Sequence, residues 1–173
     1  MYMKKTQNSN GFTLVEMLVT VAIATVLSII ITSLLAVYTK SYAVFKSANR
    51  INTATIVAGE RITREIKLAQ SVNMGQSMFG THPGRLTLTT TLGTTTPSTI
   101  EFYIEGETLK LRRDGVDVGA LTGGDVTVER LIFSHAQNGS SEIVSIEMNI
   151  STAQGTTTRT ESFFTSAMLR GTY

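Results

Sequence analysis

Gly11–Tyr38 reads GFTLVEMLVTVAIATVLSIIITSLLAVY, and from Phe12 onward its only charged residue is Glu16. As a helix rising about 1.5 Å per residue, the apolar run spans about 40 Å. That is enough to cross a hydrocarbon core of about 30 Å. Its side chains are apolar all round, as expected of a membrane span or a helix buried in a bundle. Lys4 and Lys5 lie on the N-terminal flank. The positive-inside bias places that end in the cytoplasm and everything after Lys40 outside.

Beyond the run the pattern changes. Val44, Ala48, Ile51, Thr55, Ala58, Ile62, Ile66 and Ala69 recur at spacings of three and four, the stripe of an amphipathic helix. Arg50, Asn52, Glu60, Arg61, Arg64 and Lys67 lie off it, as a solvated face would, with Arg61 and Glu65 spaced for an i,i+4 pair. No Pro or paired Gly intervenes, so one helix is predicted from about Phe12 to about Gln70. Gly59 is its weak point, costing roughly 1 kcal/mol relative to Ala. Asn73, Gly75, Gly80 and Pro83 mark its end.

After Pro83 the period falls to two. Leu86 and Leu88 alternate with polar residues, as do Ile100, Phe102 and Ile104, then Leu109 and Leu111. Glu105-Gly106 predicts a tight hairpin, and Asp114-Gly115, Gly123-Gly124 and Asn138-Gly139 further turns. Val126 and Val128 open a strand running through Phe133. Val144, Ile146, Met148 and Ile150 form another, and Phe163, Thr165, Ala167 and Leu169 a last one. Leu92–Pro97 is low in complexity and reads as a mobile loop. Five or six strands after one helix, without βαβ alternation, predict an α+β fold. A long N-terminal helix packs on an antiparallel sheet, with the stripe from Ile51 to Ala69 covering one face.

The 173 residues suit one ordinary domain plus an appended segment. A charged fraction of 16% is low for a soluble domain, and the apolar excess sits at one end. The net charge of +2, with basic residues spread along the chain, gives no electrostatic footprint for nucleic acid. The absence of cysteine excludes disulfides, thiol nucleophiles and thiolate metal sites. The abundance of Thr in the second half favours strands and exposed loops.

Lys4-Lys5, followed by Gly11-Phe12-Thr13-Leu14-Val15-Glu16-Met17-Leu18, resembles the prepilin signature shared by type IV pilins, type II secretion pseudopilins and competence pseudopilins. That pattern is a short basic leader ending in Gly, then Phe-Thr-Leu-(Val/Ile)-Glu and an unbroken apolar helix. The resemblance covers Met1 to about Tyr42. It implies a leader over 1–11, a membrane and filament-core helix over 12–38, and an amphipathic helix with a β-rich head over 39–173. It further implies that prepilin peptidase cuts after Gly11 and that the amine of Phe12, the new N-terminus, is methylated. Glu16 would then be the fifth mature residue, its carboxylate attracting the N-terminal amine of a neighbouring subunit.

Glu16 is informative by itself as well. An acid at the centre of a membrane helix costs about 2.5–3.5 kcal/mol on insertion scales, less near the end or beside a cation. Cleavage would supply that cation as the amine of Phe12, charged near neutral pH. Two plainer readings compete: an ordinary single-span anchor with Glu16 at the interface, and a secretory signal peptide. The latter calls for a shorter apolar region and a small-x-small cleavage site, which this stretch lacks.

Gly59–Gln70 looks like the corresponding helix of J-type minor pseudopilins and W-type minor pilins, and Phe163–Arg170 is similar to their last strand. The paired C-terminal cysteines of many major pilins are missing. The resemblance therefore implies a minor pilin or pseudopilin acting at filament initiation or at the tip, with a major pilin as the alternative. From another class comes a membrane-anchored binding module displayed at the tip, an adhesin or a DNA-capture subunit. The implied partners are prepilin peptidase, other pilin or pseudopilin subunits, the inner-membrane assembly platform and, before assembly, lipid. The head would be periplasmic or extracellular. No enzyme activity, cofactor or nucleic-acid partner is implied.

Asp114, Asp117 and Asp125 lie in a Gly-rich region where a flexible loop of oxygen ligands could hold calcium, although turn formation explains them as well. His82 and His135 stand alone in sequence. Phe163, Phe164 and Arg170 read as closing the last strand, with core packing the default.

Overall fold

The computed structural model describes residues 13–91, 96–139, 141–154 and 157–170, with 154 and 157 in backbone only. The expected leader over 1–11 and most of the loop Leu92–Pro97 lie outside them. The chain divides into two units, Met1–Ala43 and Val44–Tyr173. Helix α1 runs Leu14–Leu68. In the first unit it is exposed from Leu14 to Tyr42.

In the second unit α1 buries Ser47, Ile51, Thr55, Ala58, Gly59, Ile62, Glu65 and Ile66. The apolar stripe is therefore real from Ile51 onward, but Val44, expected within it, is exposed. The helix stops at Leu68, short of Gln70, because the sheet captures the chain. The Gln70 amide donates to Thr89 O at 2.8 Å, and Thr90 Oγ1 donates to the Leu68 carbonyl at 3.3 Å.

Among the described residues eight strands follow, more than expected: β1 Ser71–Val72, β2 Leu86–Thr90, β3 Ser98–Glu105, β4 Thr108–Arg113, β5 Val116–Ala120, β6 Thr127–Asn138, β7 Ser141–Gln154 and β8 Thr157–Met168. They make two antiparallel sheets, β1-β2-β3-β4-β5 and β6-β7-β8. The α+β architecture of one long helix packed with antiparallel strands holds, although a single sheet does not.

The turns follow the chemistry of their residues. Glu105 pairs with Thr108 across a two-residue loop, and Gly106 takes φ +64°. Arg113 pairs with Val116 across Asp114-Gly115, both at positive φ. That is the conformation two-residue hairpins favour.

One cluster forms the core of this unit. It gathers Ile51, Ala58, Ile62 and Ile66 from α1, Leu86, Leu88, Ile100, Phe102, Leu109 and Leu111 from the first sheet, and Leu131, Phe133, Val144, Ile146, Met148 and Ile150 from the second. The strand alternation read from sequence selects these inward residues. The sheets are tied by backbone. Gly80 and Gly84 amides donate to Phe133 O and Leu131 O, each at 2.9 Å, and the Val128 amide donates to Glu107 O at 2.8 Å.

Candidate functional site

The segment that carries the motif begins at a helix cap. The Glu16 amide donates to the Thr13 carbonyl at 3.1 Å and lies 3.3 Å from Thr13 Oγ1, which accepts from it. Thr13 is thus the N-cap of α1 and Glu16 its third residue, the spacing of a capping box. Thr13-Leu14-Val15-Glu16 ahead of the apolar run carries that signal in the sequence itself. It gives Glu16 a second physical role, because a carboxylate in the first turn is stabilised by the positive end of the helix dipole. Gly11, Phe12, Lys4 and Lys5 lie outside the described residues.

Along the same segment the hydroxyls are turned inward on the helix. Thr20 donates to Glu16 O at 2.7 Å, Thr25 to Val21 O at 2.7 Å, Ser28 to Ala24 O at 2.8 Å, Thr32 to Ser28 O at 2.8 Å and Ser33 to Ile29 O at 2.9 Å. Bonding to the carbonyl four residues back satisfies each donor without water. The outward surface is then apolar despite five hydroxyl residues. Leu14, Val15, Leu18, Val21, Leu27 and Ile31 are each more than half exposed, and none of the most apolar 18-residue window is buried. Removing such a side chain from water is worth about 1.5–3 kcal/mol. A surface of this kind demands lipid or other helices.

The three calcium candidates are each drawn to different partners. Asp114 accepts from Ser98 Oγ and from the Thr99 amide, both at 2.7 Å. The bond from the Thr99 amide, then that from Ser98, holds its carboxyl below the usual carboxylate range. Asp117 accepts from Tyr103 Oη at 2.5 Å and Arg112 Nε at 3.2 Å. The Tyr103 bond lowers the Asp117 pKa and raises that of Tyr103. Asp125 faces Arg50 at 3.2 Å. Among the described residues, no group of three or more His, Asp or Glu side chains could hold a metal ion.

Two further readings change, those of Glu65 and Phe164. Arg61 and Glu65 do pair, at 2.9 Å, but Glu65 is only 6% exposed and also faces Arg113 at 3.8 Å. It is a buried acid held between two arginines rather than part of a solvated face. His135, isolated in sequence, meets Glu142 across the β6–β7 hairpin at 3.2 Å and packs on Phe79. His82 Nδ1 accepts from the Leu131 amide at 3.0 Å. Phe163 packs against the core, whereas Phe164 is 72% exposed.

No curated protein and no solved structure matches the chain. Residues 6–32 match the family described as the prokaryotic N-terminal methylation motif, so the chain carries the signature of type IV pilins and pseudopilins.

Proposed function

We propose that this chain is a minor pilin or pseudopilin, a structural subunit that assembles through α1 into a type IV pilus or a type II secretion-like filament, at initiation or at the tip. The motif implies processing by a prepilin peptidase and assembly with other pilin subunits, and the family it marks is structural rather than catalytic. The observation that carries the reading is the unburied apolar stretch of α1 with Glu16 as its one acid, capped by Thr13 at the helix start.

In this reading the chain is held in the inner membrane by one pass, with its N-terminus cytoplasmic and its head outside. Cleavage after Gly11 frees the amine of Phe12, which is then methylated. Extraction into a filament exchanges lipid for neighbouring apolar helices, a transfer nearly neutral for the aliphatic side chains. It is not neutral for Glu16. Its carboxylate is stabilised only where an opposite charge meets it, since one unpaired buried charge is strongly penalised. A neighbour's N-terminal amine would supply that charge at one axial register.

Intact mass of the protein from native membranes, with and without prepilin peptidase, tests this. The expected result is loss of residues 1–11 and gain of one methyl group, both dependent on the peptidase. Glu16→Ala should be processed and membrane-bound yet absent from sheared filaments. A mass retaining the leader, or a cut far beyond Gly11, would return the chain to an ordinary single-span anchor or secreted domain. Copy number in sheared filaments separates a minor from a major subunit.

A further inference from the structure

Between Glu16 and Lys40 the chain carries no charged side chain. The far end of that interval is amphipathic. Tyr38 and Tyr42 lie one turn apart on α1, 67% and 57% exposed, with their ring centroids stacked at 6.4 Å. Lys40 lies between them in sequence and is also exposed. Two residues are about 200° round a helix, so its ammonium leaves from the side opposite the rings. Among the described residues Lys40 makes no ion pair, and neither tyrosine hydroxyl has a hydrogen-bond partner.

Length and chemistry both fit these groups to a lipid surface. Tyr38 stands 22 residues beyond Glu16, about 33 Å along an unbroken helix. The hydrocarbon core of a bilayer is about 30 Å thick, and ordinary tilt absorbs the difference. Glu16 and Tyr38 therefore reach opposite boundaries of the core together. From Tyr38 to Tyr42 is about 6 Å, which matches a headgroup layer of about 5–8 Å on each side. Tyrosine suits that layer, because its ring is apolar and its hydroxyl reaches water. An ammonium on a flexible stem extends to lipid phosphate. No acid between Glu16 and Glu60 competes for Lys40 along the helix.

We propose that Tyr38, Lys40 and Tyr42 form an interfacial anchor, a surface that binds phospholipid headgroups on the side of the bilayer away from Glu16. The anchor fixes the depth of α1. It keeps the Glu16 carboxylate at the opposite headgroup boundary, out of the hydrocarbon where an acid is costly. The apolar run alone does not set this depth, because at about 40 Å it exceeds the core and can slide or tilt. The inference rests on the proposed membrane span and needs neither processing nor a filament.

The chain contains no tryptophan, so one introduced indole reports its own depth. Leu35→Trp lies about 4.5 Å inside Tyr38, and the substituted side chain is exposed. The full chain is reconstituted in vesicles of phosphatidylcholine and phosphatidylglycerol. Quenching of the indole is compared between lipids brominated near the headgroup and near the chain ends. With the anchor intact, the shallow bromines should quench more strongly. Tyr38→Leu, Lys40→Leu and Tyr42→Leu together should reverse that order, as the lengthened apolar run draws position 35 inward. Lys40→Arg should keep the native order, and circular dichroism checks that each variant keeps its helix. An order unchanged by the triple substitution overturns the proposal and leaves the membrane span standing. An indole that no brominated lipid quenches overturns both. Depth unchanged while the triple substitution abolishes chemical cross-linking between chains would overturn the anchor and assign the tyrosine pair to a second copy.

Discussion

At Gly59 a single missing atom lets helix and sheet meet. A Cβ built there would lie 2.4 Å from Phe163 Cζ and 2.7 Å from Cε1. The sequence flags Gly59 only as a loss of helix preference; its reason, an aromatic ring from the distant strand β8, is a tertiary fact with no local signal. The position sets two effects against each other. Alanine would regain up to about 1 kcal/mol of helix propensity, while overpacking costs about 1–3 kcal/mol when neighbours must shift. The ring is partly buried against the core, so the second effect wins. Gly59→Ala should lower stability by about 1 kcal/mol, seen as a lower thermal midpoint of the full chain in detergent. Adding Phe163→Leu should recover part of the loss, because the smaller side chain vacates the space. A midpoint that rises with Gly59→Ala would show propensity dominating.

At the scale of elements, the β4–β5 hairpin illustrates what pattern reading finds and what it misses. Its turn was legible, since Asp114-Gly115 supplies two residues that tolerate positive φ. The strand after it was not, because β5 is exposed on every residue and gives no inside-outside alternation. The Asp114 carboxylate clamps the turn to β3 through Ser98 and Thr99. Its folded pKa is lowered by those bonds. A depressed carboxylate contributes stability that is fully present above its unfolded pKa of about 3.9 and is lost as pH falls through the lower folded value. The clamp should therefore be indifferent to pH between about 5 and 8 and loosen only below about 4. Following the Thr99 amide resonance during acid titration checks this. Its midpoint should fall below the ordinary aspartate range, and Asp114→Asn should remove the transition. A midpoint at or above about 3.9 would mean the carboxylate gains nothing from the clamp.

At the scale of the whole molecule, the apolar run, the amphipathic stripe and six strands were legible because each repeats a local period that burial enforces. Two sheets in place of one were not, since which strands pair depends on contacts between distant residues. The connection is a case in point. Phe79–Arg85 reads as turn chemistry, yet it lies along β6, with Gly80 and Gly84 donating to Phe133 and Leu131 and His82 accepting from the Leu131 amide. It covers the edge of β6 that would otherwise be open, and it leads directly into β2 of the other sheet. Close approach is required at Gly84, where a Cβ would lie 2.9 Å from the Leu131 carbonyl oxygen and 3.3 Å from the Phe133 nitrogen. Those are backbone atoms of a paired strand and cannot swing aside as a side-chain tip can. Gly84→Ala should therefore push the segment from β6, break the bond from its own amide to Leu131, and cost about 1–3 kcal/mol. Hydrogen exchange of the full chain in detergent would locate the damage, with faster exchange at the Gly80, Gly84 and Leu131 amides while the β7–β8 ladder stays protected. Uniform acceleration across both sheets would instead mean that the segment is part of a single cooperative unit. Unchanged exchange would mean that β6 is held by its pairing with β7 alone.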